Sequence, residues 1–322
     1  MMVDVYNIWL NHGLLKHRAV LKLKFKPEAP IHIGSGAKGE VLQYALMLKK
    51  GEILIPASTW KGVFRRITEI LAKSVSVKPA AFSNYEYEVL MAHEEKEKIT
   101  HYKAFHIVED CLKNMAKTYG AEALKTFLLN TVFPDERELE EAVDVRTGVI
   151  KKKKSRDVQE KLDFITQLLC STCRLYGAPS LKGKLVFTDT IIPPNKYISR
   201  FRTHVGINRK SGTSEERALY SLQLIMPEEV ELEIIVNNVK PKTADALLWA
   251  ATLDYILKEG ISLGMRKSIG LGILKVKKEE SKVYVNELET LGPEDLLKTL
   301  ADYKHKAETL TLEKYVKYLK GT

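Results

Sequence analysis

The sequence predicts an α+β fold, and three observations carry the prediction. Residues 20–26, "VLKLKFK", alternate apolar and basic side chains with the period of two that is typical of a strand. Residues 56–74 place apolar side chains on one helical face, with Trp60 and Phe64 near its start. After residue 160 a helix, short strands, a second helix and a last strand follow one another. This order is that of a ferredoxin-like βαββαβ core interrupted by insertions.

The first half supplies a strand, a hairpin and a helix. Residues 42–55 alternate in polarity on both sides of "KKG", which predicts a hairpin turn and a return strand. The helix that follows is predicted to begin at Pro56, with Ser58 as its cap.

The second half repeats this alternation of elements. Residues 161–177, "KLDFITQLLCSTCRLYG", predict one helix that stops at Gly177. "KLVFTDT", "SLQLIM" and "VELEIIV" predict strands, "TADALLWAATLDYILKEG" predicts an amphipathic helix, and "ILKVKK" predicts the last strand.

Composition divides the chain into parts. We predict that the core spans residues 1–74 and 161–278, and that the charged residues 75–160 form a helical insertion, or lid. The insertion ends in "KKKKSRD", predicted to be a mobile basic tip. Residues 279–322 are predicted to form a C-terminal extension, also helical.

The bulk composition favours a polyanionic partner. The 322 residues carry 51 Lys and Arg against 41 Asp and Glu, a formal net charge of +10. No stretch reaches the roughly 20 apolar residues of a membrane span, and the N-terminus does not resemble an export signal. Three cysteines cannot form a paired extracellular framework, so we expect a protein of the reducing cytoplasm.

The stretch "IGSGAKGE", residues 33–40, matches the GxGxxG pattern of dinucleotide-binding enzymes. That pattern requires a helix to open on the loop and an acid about twenty residues later to bind the ribose. Here the next residues alternate like a strand, and no acid stands near position 55. The loop is therefore interpreted as a glycine-rich connection whose backbone N–H groups are suited to phosphate.

Four segments combine basic residues with glycine or aromatic residues, as a protein that grips a nucleic-acid backbone requires. Three are "IHIGSGAKG", "PASTWKGVFRR" and "LGMRKSIGLG". In the fourth, residues 197–212, an extended chain would project basic side chains to one side and Tyr197, Phe201 and Val205 to the other. The candidate RNA-binding residues are Gly34, Ser35, Gly36, Lys38, Lys61, Arg65, Arg66, Arg200, Arg202, His204, Arg209, Lys210, Arg266 and Lys267.

These segments resemble the RAMP superfamily, the repeat-associated proteins of CRISPR systems. The resemblance rests on "HIGSG", "IPASTWKGVFR", "CRLYGAPSLKGKLVFTDT", "THVGINRKSGT" and "GMRKSIGLG", which occur in the expected order. The final glycine-rich loop is the superfamily's signature, and Pro56, Ser58, Lys61 and Gly62 match its most specific companion. The segments are most similar to the backbone subunits of type III (Csm/Cmr-type) effector complexes.

The resemblance implies an RRM-like core, with a thumb hairpin over residues 195–216 that kinks the guide RNA. It implies crRNA and target RNA as partners, together with other RAMP subunits and the large subunit of the complex. Antiviral defence would be the role. The sequence itself would be read by base pairing between guide and target rather than by the protein.

Catalysis is an open alternative. Family members that cleave target RNA carry an aspartate between the first loop and the proline–serine–lysine stretch, whereas Gln43 matches that position here. The candidates that remain for an endoribonuclease of target or guide precursor RNA are Glu40, His32 and Asp144. A divalent metal would then be the expected cofactor.

Cys170 and Cys173 form a CxxC pair, but no second Cys or His pair follows it at the spacing of a zinc site. We therefore expect both thiols to pack in the core.

Overall fold

The structure, a computed structural model, describes residues 4–34, 42–43, 45, 48, 51–74, 79–94 and 99–322. The helices are α1 (Val5–Gly13), α2 (Ala57–Lys73), α3 (Asn84–Met91), α4 (His106–Tyr119), α5 (Ala121–Thr131), α6 (Glu136–Ala142), α7 (Arg156–Leu169), α8 (Ser171–Tyr176), α9 (Ala244–Glu259), α10 (Pro293–Ala301) and α11 (Leu312–Lys320). The strands are β1 (His17–Pro27), β2 (Leu42–Gln43), β3 (Ile53–Ile55), β4 (Val143–Asp144), β5 (Val149–Ile150), β6 (Leu185–Phe187), β7 (Thr190–Ile192), β8 (Tyr197–Ile207), β9 (Ser214–Pro227), β10 (Val230–Asn237), β11 (Ile261–Ser262), β12 (Ile273–Val276), β13 (Lys282–Glu287) and β14 (Glu308–Thr311). Helix and sheet are thus mixed, as the predicted α+β class requires.

An antiparallel sheet organises the molecule around β1. Its strand order is β11–β12–β1–β10–β6, and every neighbouring pair runs antiparallel. The edge of β1 that pairs with β12 also pairs with β13, which in turn pairs with β14. The sequence predicts a helical C-terminal extension, but residues 279–322 also add two strands, β13 and β14, to this sheet.

The predicted period of two in β1 is confirmed by its burial. Leu21, Leu23 and Phe25 are fully buried, and the intervening lysines face away from the core. The Lys24 ammonium lies 3.0 Å from a carboxylate oxygen of Glu229 and 3.0 Å from one of Glu231. Hydrogen bonds to these two carboxylates raise the pKa of Lys24. The basic face of β1 is thus partly offset by acids in and beside the neighbouring strand β10.

Helices α2 and α9 cover the apolar face of the sheet. Trp60 stacks on Phe25 of β1, with the ring centroids 5.5 Å apart, and Phe64 packs 5.9 Å from Trp249 of α9. Helix α2 begins at Ala57, whose N–H donates to the Asp189 carboxylate at 2.7 Å. The prediction of Ser58 as the cap is therefore wrong, since Asp189 supplies the acceptor from another strand end.

Two further expectations about local structure change. The helix predicted over 161–177 is broken at Cys170, whose extended backbone separates α7 from α8. The hairpin predicted over 42–55 lies partly outside the described residues. Its turn is confirmed by the Leu48 N–H, which donates to the Glu52 carbonyl at 2.7 Å, but the described strands on either side of the turn pair elsewhere. Strand β2 runs parallel to β9, and β3 runs antiparallel to β7.

The described residues between 79 and 155 form α3 to α6 and the β4–β5 hairpin. Their apolar side chains belong to the same buried cluster as those of β1, α2 and α9. The basic run before α7 is paired, with Lys152 2.7 Å from Glu141 and Lys153 2.5 Å from Glu109. None of the helices in the described residues has the length and apolarity to cross a membrane.

Candidate nucleic-acid interface

The start of the segment "IHIGSGAKG" and the segment "LGMRKSIGLG" meet in the folded chain. The N–H of Met265 donates to the carbonyl of His32 at 2.9 Å, and the N–H of Gly272 donates to the carbonyl of Pro30 at 2.9 Å. We call residues 263–272 the glycine loop. Residues 30–32, which lead into the first loop, therefore bond to the backbone of the glycine loop beyond the end of β1.

Glycine is required in this contact for close approach. Gly264 and Gly272 have φ of +87° and +77°, a backbone region that residues other than glycine rarely adopt. A Cβ at Gly264 would overlap the carbonyl oxygen of His32, and one at Gly272 would overlap that of Leu263. These two glycines thus shape the loop, and the loop in turn presents its basic residues.

Arg266 and Lys267 are exposed at the apex of the glycine loop. The Arg266 guanidinium lies over the ring of Tyr220 in β9, 4.8 Å from its centroid. The Tyr220 ring stacks on His204 of β8, with centroids 5.4 Å apart and planes 16° apart. This stack of three side chains connects the glycine loop to the β8–β9 hairpin.

Strands β8 and β9 form a long hairpin, which with its turn we call the basic arm (residues 197–227). Arg200 is paired with Leu224 and Arg202 with Leu222, so each pair shares the face that also carries His204. Leu222 and Leu224 are buried against Leu271 of the glycine loop. The face with the two arginines therefore continues directly into the glycine loop.

The opposite face of the arm carries exposed apolar side chains, as the predicted alternation requires. It carries Phe201, Val205 and Leu219, which are 53%, 47% and 56% exposed. Arg209 and Lys210 lie at the tip, where the Asn208 side chain accepts a hydrogen bond from the Lys210 N–H at 2.9 Å. The arm thus presents both positive charge and an exposed apolar surface, the combination that binds a single-stranded nucleic acid.

The cations of the arm and the glycine loop have no acidic partner within the part of the chain that the structure describes. This holds for Arg200, Arg202, Arg209, Lys210, Arg266 and Lys267. In contrast, Lys22 and Lys24 of β1 and Lys152 and Lys153 of the run before α7 are bound to carboxylates. The arm and the loop therefore present a group of cations whose charge is not offset by an acid of the described residues.

The third predicted segment lies apart from this surface. Arg65 of α2 turns inward, with Nε 2.9 Å from Glu69 and Nη1 3.2 Å from the carbonyl oxygen of Gly177. Lys61 is half-buried and Arg66 is exposed on the same helix. Asp189 accepts from the Ala57 N–H and the Pro56 carbonyl accepts from the Thr59 and Trp60 N–H groups, so most of the N–H groups at this helix start are already bonded.

The catalytic candidates are not brought together in the described residues. His32 is fully buried, and its Nδ1 lies 2.8 Å from the carbonyl oxygen of Gln223. Asp144 lies in the β4–β5 hairpin, where hydrogen bonds from Thr147 and the Arg146 N–H lower its pKa and hold it as a turn residue. Glu40, Ser35, Gly36 and Lys38 lie outside the described residues. Gly34 forms an isolated backbone bridge with Ala45.

Sequence reasoning missed Tyr220, the residue that joins the arm to the loop. Only part of the signal was present: "ALYSLQLIM" alternates as a strand, but a regular hairpin about a turn at residues 208–213 would pair His204 with residue 217, and the register shift between Val205 and Ile207 is what brings Tyr220 there.

The chain matches a known protein family over most of its length. The model of the RAMP superfamily matches residues 24–275, from β1 to β12, and so includes both the arm and the glycine loop. The search of curated proteins found no match.

Proposed function

Because the chain belongs to the RAMP superfamily, we propose that it is a guide-RNA-binding backbone subunit of a type III CRISPR effector complex. Its partners would be crRNA, target RNA, other RAMP subunits and the large subunit of that complex. The strand order β12–β1–β10–β6, with α2 and α9 on one face, supports a ferredoxin-like core of the RRM kind.

The observation that carries the proposal is the continuous surface formed by the basic arm and the glycine loop. Its guanidinium groups are placed to neutralise phosphates, and the exposed ring of Phe201 and the half-buried rings of His204 and Tyr220 offer aromatic contacts to bases or riboses. Neither feature selects a base edge. Recognition of the sequence would then be left to base pairing, as in other RNA-guided systems.

Binding of labelled single-stranded RNA of mixed sequence tests the proposal. The double variant Arg200→Gln/Arg202→Gln should bind roughly tenfold more weakly, the equivalent of about 1.4 kcal/mol. The slope of log affinity against log salt should become shallower by about 1.4, since each phosphate contact on a single strand contributes about 0.7.

Lys152→Gln/Lys153→Gln is the matched control, because it removes the same formal charge from lysines that are already paired with acids. It should change affinity by less than about twofold. Equal losses in the two variants would show that net charge alone drives binding, and would contradict the arm as the interface.

The role as a backbone subunit requires a second readout. RNA that co-purifies with the chain should be protected in fragments of uniform length. The same labelled RNA, incubated with and without Mg²⁺ and separated on a denaturing gel, should remain intact; cleavage would indicate an endoribonuclease in place of a passive backbone protein.

A further inference from the structure

Four side chains that bind transition metals converge inside the protein, away from the basic arm. They are His93, His101, Cys170 and Cys173, all buried, and their nearest ligand atoms all lie within 4.8 Å of one another. Two come from the inserted region and two from the α7–α8 junction. The core thus encloses two imidazoles and two thiols around a single point.

The distances match a tetrahedral site. Around Zn²⁺, with bonds of about 2.3 Å to sulfur and about 2.0 Å to nitrogen, ligand atoms lie about 3.3 to 3.8 Å apart. His93 Nδ1 lies 3.1 Å from His101 Nε2 and 3.6 Å from each sulfur. Cys173 Sγ lies 3.8 Å from His101 Nε2. Small shifts from these positions would complete the coordination sphere.

The local fold explains why the ligands face one another. Helix α7 ends at Leu169, and the extended backbone of Cys170 starts the new helix α8. The CxxC pair therefore lies across a helix break, and both thiols point to the same side. His93 follows α3, and His101 precedes the short helical turn Tyr102–Ala104.

A carboxylate faces the outer nitrogen of each histidine. Glu69 Oε1 lies 3.4 Å from His93 Nε2, and Asp163 Oδ1 lies 3.7 Å from His101 Nδ1. Asp163 is itself fixed by the Thr100 N–H at 2.8 Å and the Gln167 amide at 2.9 Å. Carboxylates behind metal-bound histidines orient the rings and increase their basicity, so this arrangement is that of a supported metal site.

We propose that His93, His101, Cys170 and Cys173 bind one structural Zn²⁺ ion. Four protein ligands close the coordination sphere, so the site would stabilise the fold and leave no position for a substrate. The ion would tie His93 and His101 of the inserted region to the α7–α8 junction. The expectation that both cysteines simply pack in the core is therefore incomplete, since the partner pair precedes the CxxC in sequence.

Metal analysis of the tag-free full-length chain, purified from zinc-supplemented cells, tests the site. We expect about one zinc per chain in the wild type and a loss of at least about tenfold in Cys170→Ala or His101→Ala. Cys111→Ala is the matched control and should keep its zinc. Burial raises the pKa of Cys111 to about 12, so this buried thiol stays protonated.

If a variant of one of the four metal-binding residues fails to fold, the wild-type chain still tests the proposal. Co²⁺ exchanged into the site should give the visible absorption bands of a tetrahedral ion and a thiolate charge-transfer band, and chelation of the metal should lower the melting temperature. Absence of zinc and of these cobalt bands, or a native disulfide between Cys170 and Cys173, would overturn the proposal. Iron in place of zinc would overturn the choice of metal.

Discussion

The guanidinium of Arg266 lies 4.8 Å from the ring centroid of Tyr220. One residue belongs to a loop that closes the central sheet, and the other belongs to the basic arm. Their contact joins two surfaces that are distant in sequence. His204 of β8, which lies opposite Tyr220 in the hairpin, extends the contact by stacking on the Tyr220 ring.

Replacement of Tyr220 tests whether this stack contributes to RNA binding. Tyr220→Ala removes the ring beneath Arg266, and we expect affinity for single-stranded RNA to fall about tenfold, within the roughly 1–3 kcal/mol of an aromatic contact with a base. Tyr220→Phe keeps the ring and should bind within about twofold of the wild type. Fluorescence anisotropy measures both, and circular dichroism checks the fold. Wild-type affinity in Tyr220→Ala would remove Tyr220 from the interface.

Two glycines from the family-like motifs should respond in opposite directions to alanine. Gly272 has φ of +77° and no room for a Cβ beside Leu263, so Gly272→Ala should lower the free energy of unfolding by at least about 2 kcal/mol. Gly62 is exposed in α2 with nothing within 4 Å of the added atom, so Gly62→Ala should raise it by about 1 kcal/mol. Urea denaturation measures both changes, and equal effects would contradict the close approach at Gly272.

A buried ion pair gives a prediction for stability against pH. Asp245 of α9 accepts a hydrogen bond from Arg174 Nε at 2.9 Å and one from the Lys184 ammonium at 2.7 Å. Burial opposes ionisation of Asp245, but these two cations outweigh it and hold its pKa below the usual value. Glu86, which also binds Arg174, and His12 complete the charged surroundings.

Asp245→Asn should therefore lower the free energy of unfolding at pH 7 by about 3–5 kcal/mol, because it leaves Arg174 buried without its main partner. A depressed pKa contributes stability above the unfolded value of about 3.9, and that contribution is lost as pH falls towards the folded pKa. The deficit of the variant should accordingly shrink below about pH 4.

Asp254→Asn on the same helix is the control for that measurement. Asp254 pairs with Lys258 at 2.9 Å on the surface, so its loss should cost less than about 1 kcal/mol. A deficit of Asp245→Asn that stays constant from pH 7 to pH 3 would contradict the ionised pair.

The local pattern of apolar and polar residues in the sequence determined where several strands and helices of this protein lie and which of their faces are buried. The alternation in residues 20–26 fixed which side of β1 is buried, and helical spacing located α2 and α9 within one or two residues of their ends. The alternation of Arg200, Arg202 and His204 with apolar residues placed the arm. These features follow from the sequence because the side chains that decide them lie within a few residues of one another.

Only the tertiary structure decided which of the basic and metal-binding residues meet. Arg65 has the same chemistry as Arg266, yet α2 packs it against Glu69 while the glycine loop leaves Arg266 on the surface. The CxxC pair finds its histidines only when the inserted region folds onto α7 and α8. Periodicity records which face of an element is buried, but it does not record which distant element buries it, and that pairing is set by packing of the whole core.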